Sequence, residues 1–174
     1  MATPTNLPAS FVTGAVLTAA QQNDLRGAFR TLQVVQTNLN TITSTTSALA
    51  VDISGFSVSI TPQSTSNKVL VTVNLNVGFA SADDTYFYLL RGSTAIGGGT
   101  GGTTSAAAYR RGNIISDTGM DTVTMSFLDS PATTSATTYK MQWSTRVGTL
   151  YANRRGSDTL VATASTITVE EISA

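Results

Sequence analysis

The chain has 174 residues, room for one domain of about 100 to 150 residues plus an extension. Ten acidic and ten basic residues cancel and only 11% of the chain is charged, so no net field draws it toward nucleic acid or anionic lipid. It contains no cysteine and no histidine, which excludes disulfides, thiolate nucleophiles, Cys- or His-ligated zinc and any Ser-His-Asp or Cys-His catalytic site.

Residues 1–17 hold Pro4, Pro8 and Gly14 among small polar residues and show no sustained period, as expected of an extended arm. The first ten residues are polar with two prolines, unlike a cleavable signal, and no run of about 18 apolar residues offers a membrane span. Thr18 followed by Gln21 fits a capping box, in which the hydroxyl and the amide each satisfy a free backbone N–H at a helix start. Leu25, Phe29, Leu32 and Leu39 then fall at alternating four and three spacings, with Gln36 at the position between the last two and Val35 and Ile42 widening the stripe. This spacing predicts a helix from Thr18 to Ile42, about 37 Å long at 1.5 Å per residue. It completes fewer than the three or four heptads of a confident coiled coil. The same pattern fits either a self-associated seam or an amphipathic helix packed on the protein's own head. A polar Gln36 in the stripe suits the seam, where such a residue fixes register. Thr43 to Thr46 is rich in short and β-branched residues and is read as part of a hinge that ends at residue 50.

From Val51 the period becomes two. Phe56, Val58 and Ile60 alternate with serines before Pro62 closes the run, and Thr61 to Asn67 reads as a turn. Val69, Val71, Val73, Leu75, Val77 and Phe79 occupy every second position, the pattern of a strand with one buried face. Further strands are expected at Tyr86–Leu90, Tyr109–Ile115, Thr122–Leu128, Thr138–Thr145, a short piece at Leu150–Tyr151, and Thr166–Ile172. About eight strands separated by Gly, Asn, Asp and Ser turns predict a mainly β head over residues 51–174, a β-sandwich or jelly roll of antiparallel strands. Asp117-Thr118-Gly119 and Asn153-Arg154-Arg155-Gly156 are its clearest turns. Tyr139, Met141 and Trp143 share one strand face and are read as core.

The chemistry left to such a chain is a carboxylate pair. Asp83-Asp84, Asp117 with Asp121, and Glu170-Glu171 are the candidates, yet neighbours on a strand point to opposite faces and do not easily share a substrate. The expectation is therefore a non-enzymatic protein with no catalytic, cofactor or metal site. Gly97 to Gly102 formally matches a phosphate-binding G-x-G-x-x-G. That motif needs a βαβ setting, and an all-β chain surrounds it here. Ile96, Gly97, Gly99, Gly102 and Tyr109 are instead a candidate surface-contact loop. The basic pairs Arg110-Arg111 and Arg154-Arg155 are expected to bridge Asp83, Asp84, Glu170 or Glu171 within or between subunits.

The stretch from Leu7 through Gly14-Ala15-Val16-Leu17-Thr18-Ala19-Ala20 to Asn23 and Arg26 resembles the opening of small tailed-bacteriophage virion proteins, where a G-x-x-[LV]-T-A-A-x-x-N segment leads into a helix. Tyr139-Lys140-Met141-Gln142-Trp143 and Thr166 to Ile172 are similar to the closing strands of the same proteins. The resemblance covers both ends and is weaker in the middle. It implies a homotrimer on the particle surface with a jelly-roll head. Leu7, Phe11, Val12 and Leu17 of the arm would engage a major capsid or other virion protein, and Leu25, Phe29, Leu32, Gln36 and Leu39 would form the trimer seam. A capsid cement or decoration role is expected, with a tail- or head-fibre tip that binds a host surface glycan or protein as the alternative. No nucleic-acid or membrane partner is implied.

Overall fold

The structure, a computed structural model, describes Gly14, Val16, residues 31–110 and residues 116–173. The described residues form nine antiparallel strands: β1 (Thr31–Leu39), β2 (Thr43–Thr45), β3 (Val51–Ile60), β4 (Lys68–Arg91), β5 (Thr94–Ile96), β6 (Ala108–Arg110), β7 (Asp121–Asp129), β8 (Thr137–Ala152) and β9 (Ser165–Ile172).

The organising element is β4, 24 residues long, which changes partners along its length. Up to Val77 it lies between β7 and β9, and β9 carries β1 on its far side. From Val77 onward it pairs with β8 on one side and with β5 and β6 on the other. The far side of β8 holds β2 and β3. The sheet is thus continuous but curls into two halves. Both inner faces feed one hydrophobic cluster that joins Val71, Val73 and Ile167 to Phe56, Phe87, Met141 and Trp143. Strict alternation accounts for this, because every second side chain of a strand enters the same face.

The strand passes between halves at an irregularity between Ala80 and Asp83, where Ser81 and Asp84 have positive φ. Such a bulge bends a strand locally. It needs close backbone approach from both neighbours. A Cβ on Gly148, itself at φ +74, would stand 2.3 Å from the Ser81 carbonyl oxygen, and one on Gly156 would stand 1.8 Å from that of Phe79. Only glycine fits at either place. A buried polar network braces the same region. Asn153 donates from its backbone N–H to the Asn76 carbonyl (2.9 Å) and from its side chain to the Leu39 carbonyl (2.8 Å). It accepts from the Ser165 hydroxyl (2.6 Å), which in turn accepts from the Asn76 N–H (2.9 Å). Four segments distant in sequence are locked with their buried polar atoms paired.

Where a helix is expected to run to Ile42, Thr31–Leu39 form β1 instead, and residues 18–30 lie outside the described residues. Leu32, Gln36 and Leu39 lie on a strand, and the expected hinge contains a second one. Thr31, Val34, Val35 and Thr37 are β-branched, and the unsatisfied edge of β9 offers a ladder that outweighs a short helical period. The residues expected to form separate strands at Val69–Phe79 and Tyr86–Leu90 belong to one strand, as do Thr138–Thr145 and Leu150–Tyr151.

Candidate assembly and contact surfaces

The side chains of β1 alternate between two faces. Gln33, Val35, Thr37 and Leu39 turn inward opposite Glu171, Val169, Ile167 and Ser165, while Val34, Gln36 and Asn38 turn outward. Of the expected seam, Leu39 is buried in the core and Gln36 is exposed, accepting from the Thr168 hydroxyl at 3.1 Å. These positions share no helical stripe, since a period of two separates them. Leu25 and Phe29, and the arm residues Leu7, Phe11, Val12 and Leu17, lie outside the described residues.

The glycine loop leaves the sheet between β5 and β6, both of which edge the second half of β4. Ile96 is half-buried against the core, and Gly97 backs onto the ring of Phe127. Gly99 and Gly102 are exposed. The loop is held at its return by Ala107, which donates its N–H to the Phe87 carbonyl at 2.8 Å. Tyr109 sits beyond it, its ring tilted against Tyr86 with centroids 5.4 Å apart and its hydroxyl donating to Asp84 at 2.6 Å. The structure therefore brings Ile96, Gly97 and Tyr109 to one margin of the molecule, with Gly99 and Gly102 on the projecting part between them.

Charged groups pair within the chain, but with other partners than the expected ones. Arg110 donates to Asp121 at 2.7 Å. Arg155 binds Asp158 in a fork, with hydrogen bonds of 2.5 and 2.6 Å. The Arg155 hydrogen bond, helped by the Leu160 N–H, holds the Asp158 carboxyl at about 2. Arg154 spends its donors on the carbonyls of Arg155 and Gly156 and places its guanidinium 4.0 Å from the centre of the Tyr151 ring. Arg111 lies outside the described residues. Asp83 and Asp84 share Arg146 instead, whose Nε is 2.8 Å from Asp84.

Glu171 is the least expected of these groups, for it is fully buried at the end of β9. Its carboxylate accepts from the Asn67 side chain, the Gln33 side chain and, at 2.7 Å, the Gln63 N–H. Burial pushes its pKa up. The donors of Asn67, Gln33, Gln63 and Ser64 pull it down further, and the group rests below the ordinary carboxylate value. It ties β1, the 61–67 turn and β9 together. The signal was present in the sequence, since Glu171 continues the alternation of Ile167 and Val169.

A second polar cluster joins the ends of β4 and β7 to β8. Asp129 takes both oxygens to Arg91 Nη1 at 2.9 Å and accepts from the Tyr139 hydroxyl at 2.7 Å. Burial, and then the bond to Asp129, raise the Tyr139 pKa. Among the described residues no three His, Cys, Asp or Glu side chains are grouped so as to hold a metal ion.

No family model matches the sequence, and no curated protein is similar to it. Among solved structures, the chain is similar to a structure of the Gx strain of infectious bursal disease virus and to the VP2 subviral particle of the same virus. Identity is 11% and 15%, with a TM-score of 0.31 in both cases. The matches cover 82% and 83% of this chain but only 42% and 38% of those chains. Similarity at this level carries no argument about function.

Proposed function

We propose that the protein is a non-enzymatic structural component of a tailed-bacteriophage particle, a homotrimer fixed by its N-terminal arm with the β head projecting, and acting as capsid cement or decoration. The observation that carries this reading is the pair of terminal sequence segments that resemble such virion proteins, Leu7–Arg26 and Thr166–Ile172 together with Tyr139–Trp143. The β architecture supports it by giving those closing segments a common setting, as they lie in β8 and β9 and contribute Tyr139, Met141, Trp143, Ile167 and Val169 to the core. A cement stabilises a shell by binding its assembled form in many copies, so that small gains per copy accumulate.

Removing residues 1–17 tests the reading. The truncated protein is expected to keep the melting transition of the full chain and to lose binding to particles. Retained binding would contradict the arm's role.

One feature favours a second reading, a fibre tip that holds a host glycan or surface protein. The projecting Gly97–Gly102 segment lies beside the Tyr86–Tyr109 pair, and three-fold repetition strengthens weak sites. Deleting Gly98–Gly101 would then abolish adsorption to host cells and leave particle binding unchanged.

A further inference from the structure

The first half of the sheet, in the order β7, β4, β9, β1, ends in two strands whose outer ladders are unpaired among the described residues, although β1 lies close to β3 and Gln33 donates to the Thr61 carbonyl. Among the described residues β1 pairs only with β9, and β7 only with β4. Each edge is nine residues long. Proteins normally guard such edges with charged side chains, proline, bulges or very short strands, because an exposed ladder invites another chain. Neither edge is guarded in this way along its middle. Thr31–Leu39 and Thr122–Leu128 contain no charged residue and no proline, and the flanking Asp121 and Asp129 are engaged by Arg110 and Arg91. Both edges also leave apolar inner side chains half-covered, Val35 on one and Met125 and Phe127 on the other. The second half differs, since its margins are the three-residue β2, β5 and β6 and a β3 interrupted between Asp52 and Ser57.

We propose that β1 of one copy pairs antiparallel with β7 of the next, so that the first half of the sheet continues from subunit to subunit around a closed ring. Strand direction permits this. Three reversals separate β7 from β1, so they run oppositely, and rotating a copy about an axis parallel to the strands brings β1 beside an antiparallel β7. Hydrogen-bond phase permits it as well. Val35, Val169, Val71 and Phe127 form one row across the four strands, and hydrogen-bonded and non-hydrogen-bonded pairs alternate along such a row. The outer sides of Val35 and Phe127 are therefore of the same type. Matching inner face to inner face restricts the register to steps of two, because a slip of one residue would bring apolar side chains to the wet face. Full overlap sets Val35 opposite Met125 and Gln36 opposite Thr124.

The two edges differ from each other, which makes the joint heterologous and closed only as a ring. Each joint is about 30 Å long at 3.4 Å per residue. At a depth of about 10 Å, the spacing of packed sheets, it covers about 300 Å² per partner, well under the roughly 800 Å² per partner of a stable pairwise interface. In a ring each copy takes part in two joints, against one in an isolated dimer, so closure is favoured. That the ring has three members rests on the homotrimer reading above.

The chain lacks cysteine, so an introduced pair reports the joint without background. Opposite Cα atoms in an antiparallel ladder are about 4.5–5.5 Å apart, within reach of a disulfide. Gln36→Cys with Thr124→Cys tests full overlap, and Gln36→Cys with Ser126→Cys tests the neighbouring register. All three positions are exposed. One of the two double variants of the full chain is expected to oxidise to a covalent trimer, lost on reduction, while each single variant stays monomeric on a denaturing gel. Dimers from Gln36→Cys alone would overturn the proposal in favour of β1 pairing with itself. A trimeric native mass with no cross-link from either pair would overturn it and leave the trimer reading standing. A monomeric native mass for the unsubstituted chain would overturn both.

Discussion

The two halves of the sheet are defended differently. Around the second half, Lys140 and Gln142 hold Asp52, and Arg146 holds Asp83 and Asp84. The first half presents outward Val34, Gln36 and Asn38 on β1 and Thr122, Thr124, Ser126 and Leu128 on β7, with no charge among them. Exposed ion pairs add little stability. Their uneven placement is informative for another reason, since charge keeps strangers off a sheet edge and its absence marks where a neighbour is welcome. Stability is concentrated in the core and the crossing, while the proposed ring assigns association to the first half.

Substitutions separate these two properties. The largest effect is expected in the shared core, where Trp143 is fully buried and belongs to the cluster that both halves complete. Trp143→Ala should cost about 3–5 kcal/mol, read as a lowered denaturation midpoint with one cooperative transition. Two separate transitions would mean that the halves fold independently. At the crossing, the added methyl of Gly156→Ala meets the backbone of Phe79, which cannot yield as a side chain can. A loss of about 3 kcal/mol is expected by the same assay, and a neutral result would contradict the tight approach.

Glu171 gives a pH dependence of definite sign. Its pKa is lower folded than unfolded, so its contribution is present above the unfolded value near 4.3 and is lost as pH falls through the folded value. Melting temperature should therefore drop on acidification below about pH 4. Glu171→Gln should lower stability at neutral pH by about 1.5–3 kcal/mol and flatten the acid limb. An unchanged acid limb in that variant would assign the effect to other carboxylates.

The smallest effects on folding are expected at the surface. Gln36→Lys should change stability by no more than about 0.5 kcal/mol yet lower the native mass, because it places a charge on an unguarded edge. Lys140→Ala should cost about 0–1 kcal/mol in a solvent-screened pair and leave the native mass unchanged. Equal effects of the two on assembly would erase the distinction between the halves.

Much of the fold was legible because alternation is a strong signal when it is long. Val69 to Phe79 fixes both a strand and its buried face. Its continuation to Arg91 was not legible, because Ser81 and Asp84 adopt positive φ across a stretch that breaks the alternation. The strand at Thr31–Leu39 was hidden for the opposite reason. Leu25, Phe29, Leu32 and Leu39 fit a helical stripe, and nine residues cannot decide between two periods until β9 supplies the partner. Distance along the chain decides what pattern can reach. Ile96, Gly97 and Tyr109 lie at one margin because a single loop joins β5 to β6, whereas the exchange of ionic partners among Arg110, Arg146 and Arg155 depends on which strands meet.

The central proposal is a structural role on a virus particle, and stoichiometry tests it most directly. Purified particles should be analysed by quantitative mass spectrometry for copies of this chain against the major shell subunit. A cement or decoration protein predicts a fixed proportion to that subunit, repeated from one preparation to the next. Absence of the chain from purified particles would contradict the proposal.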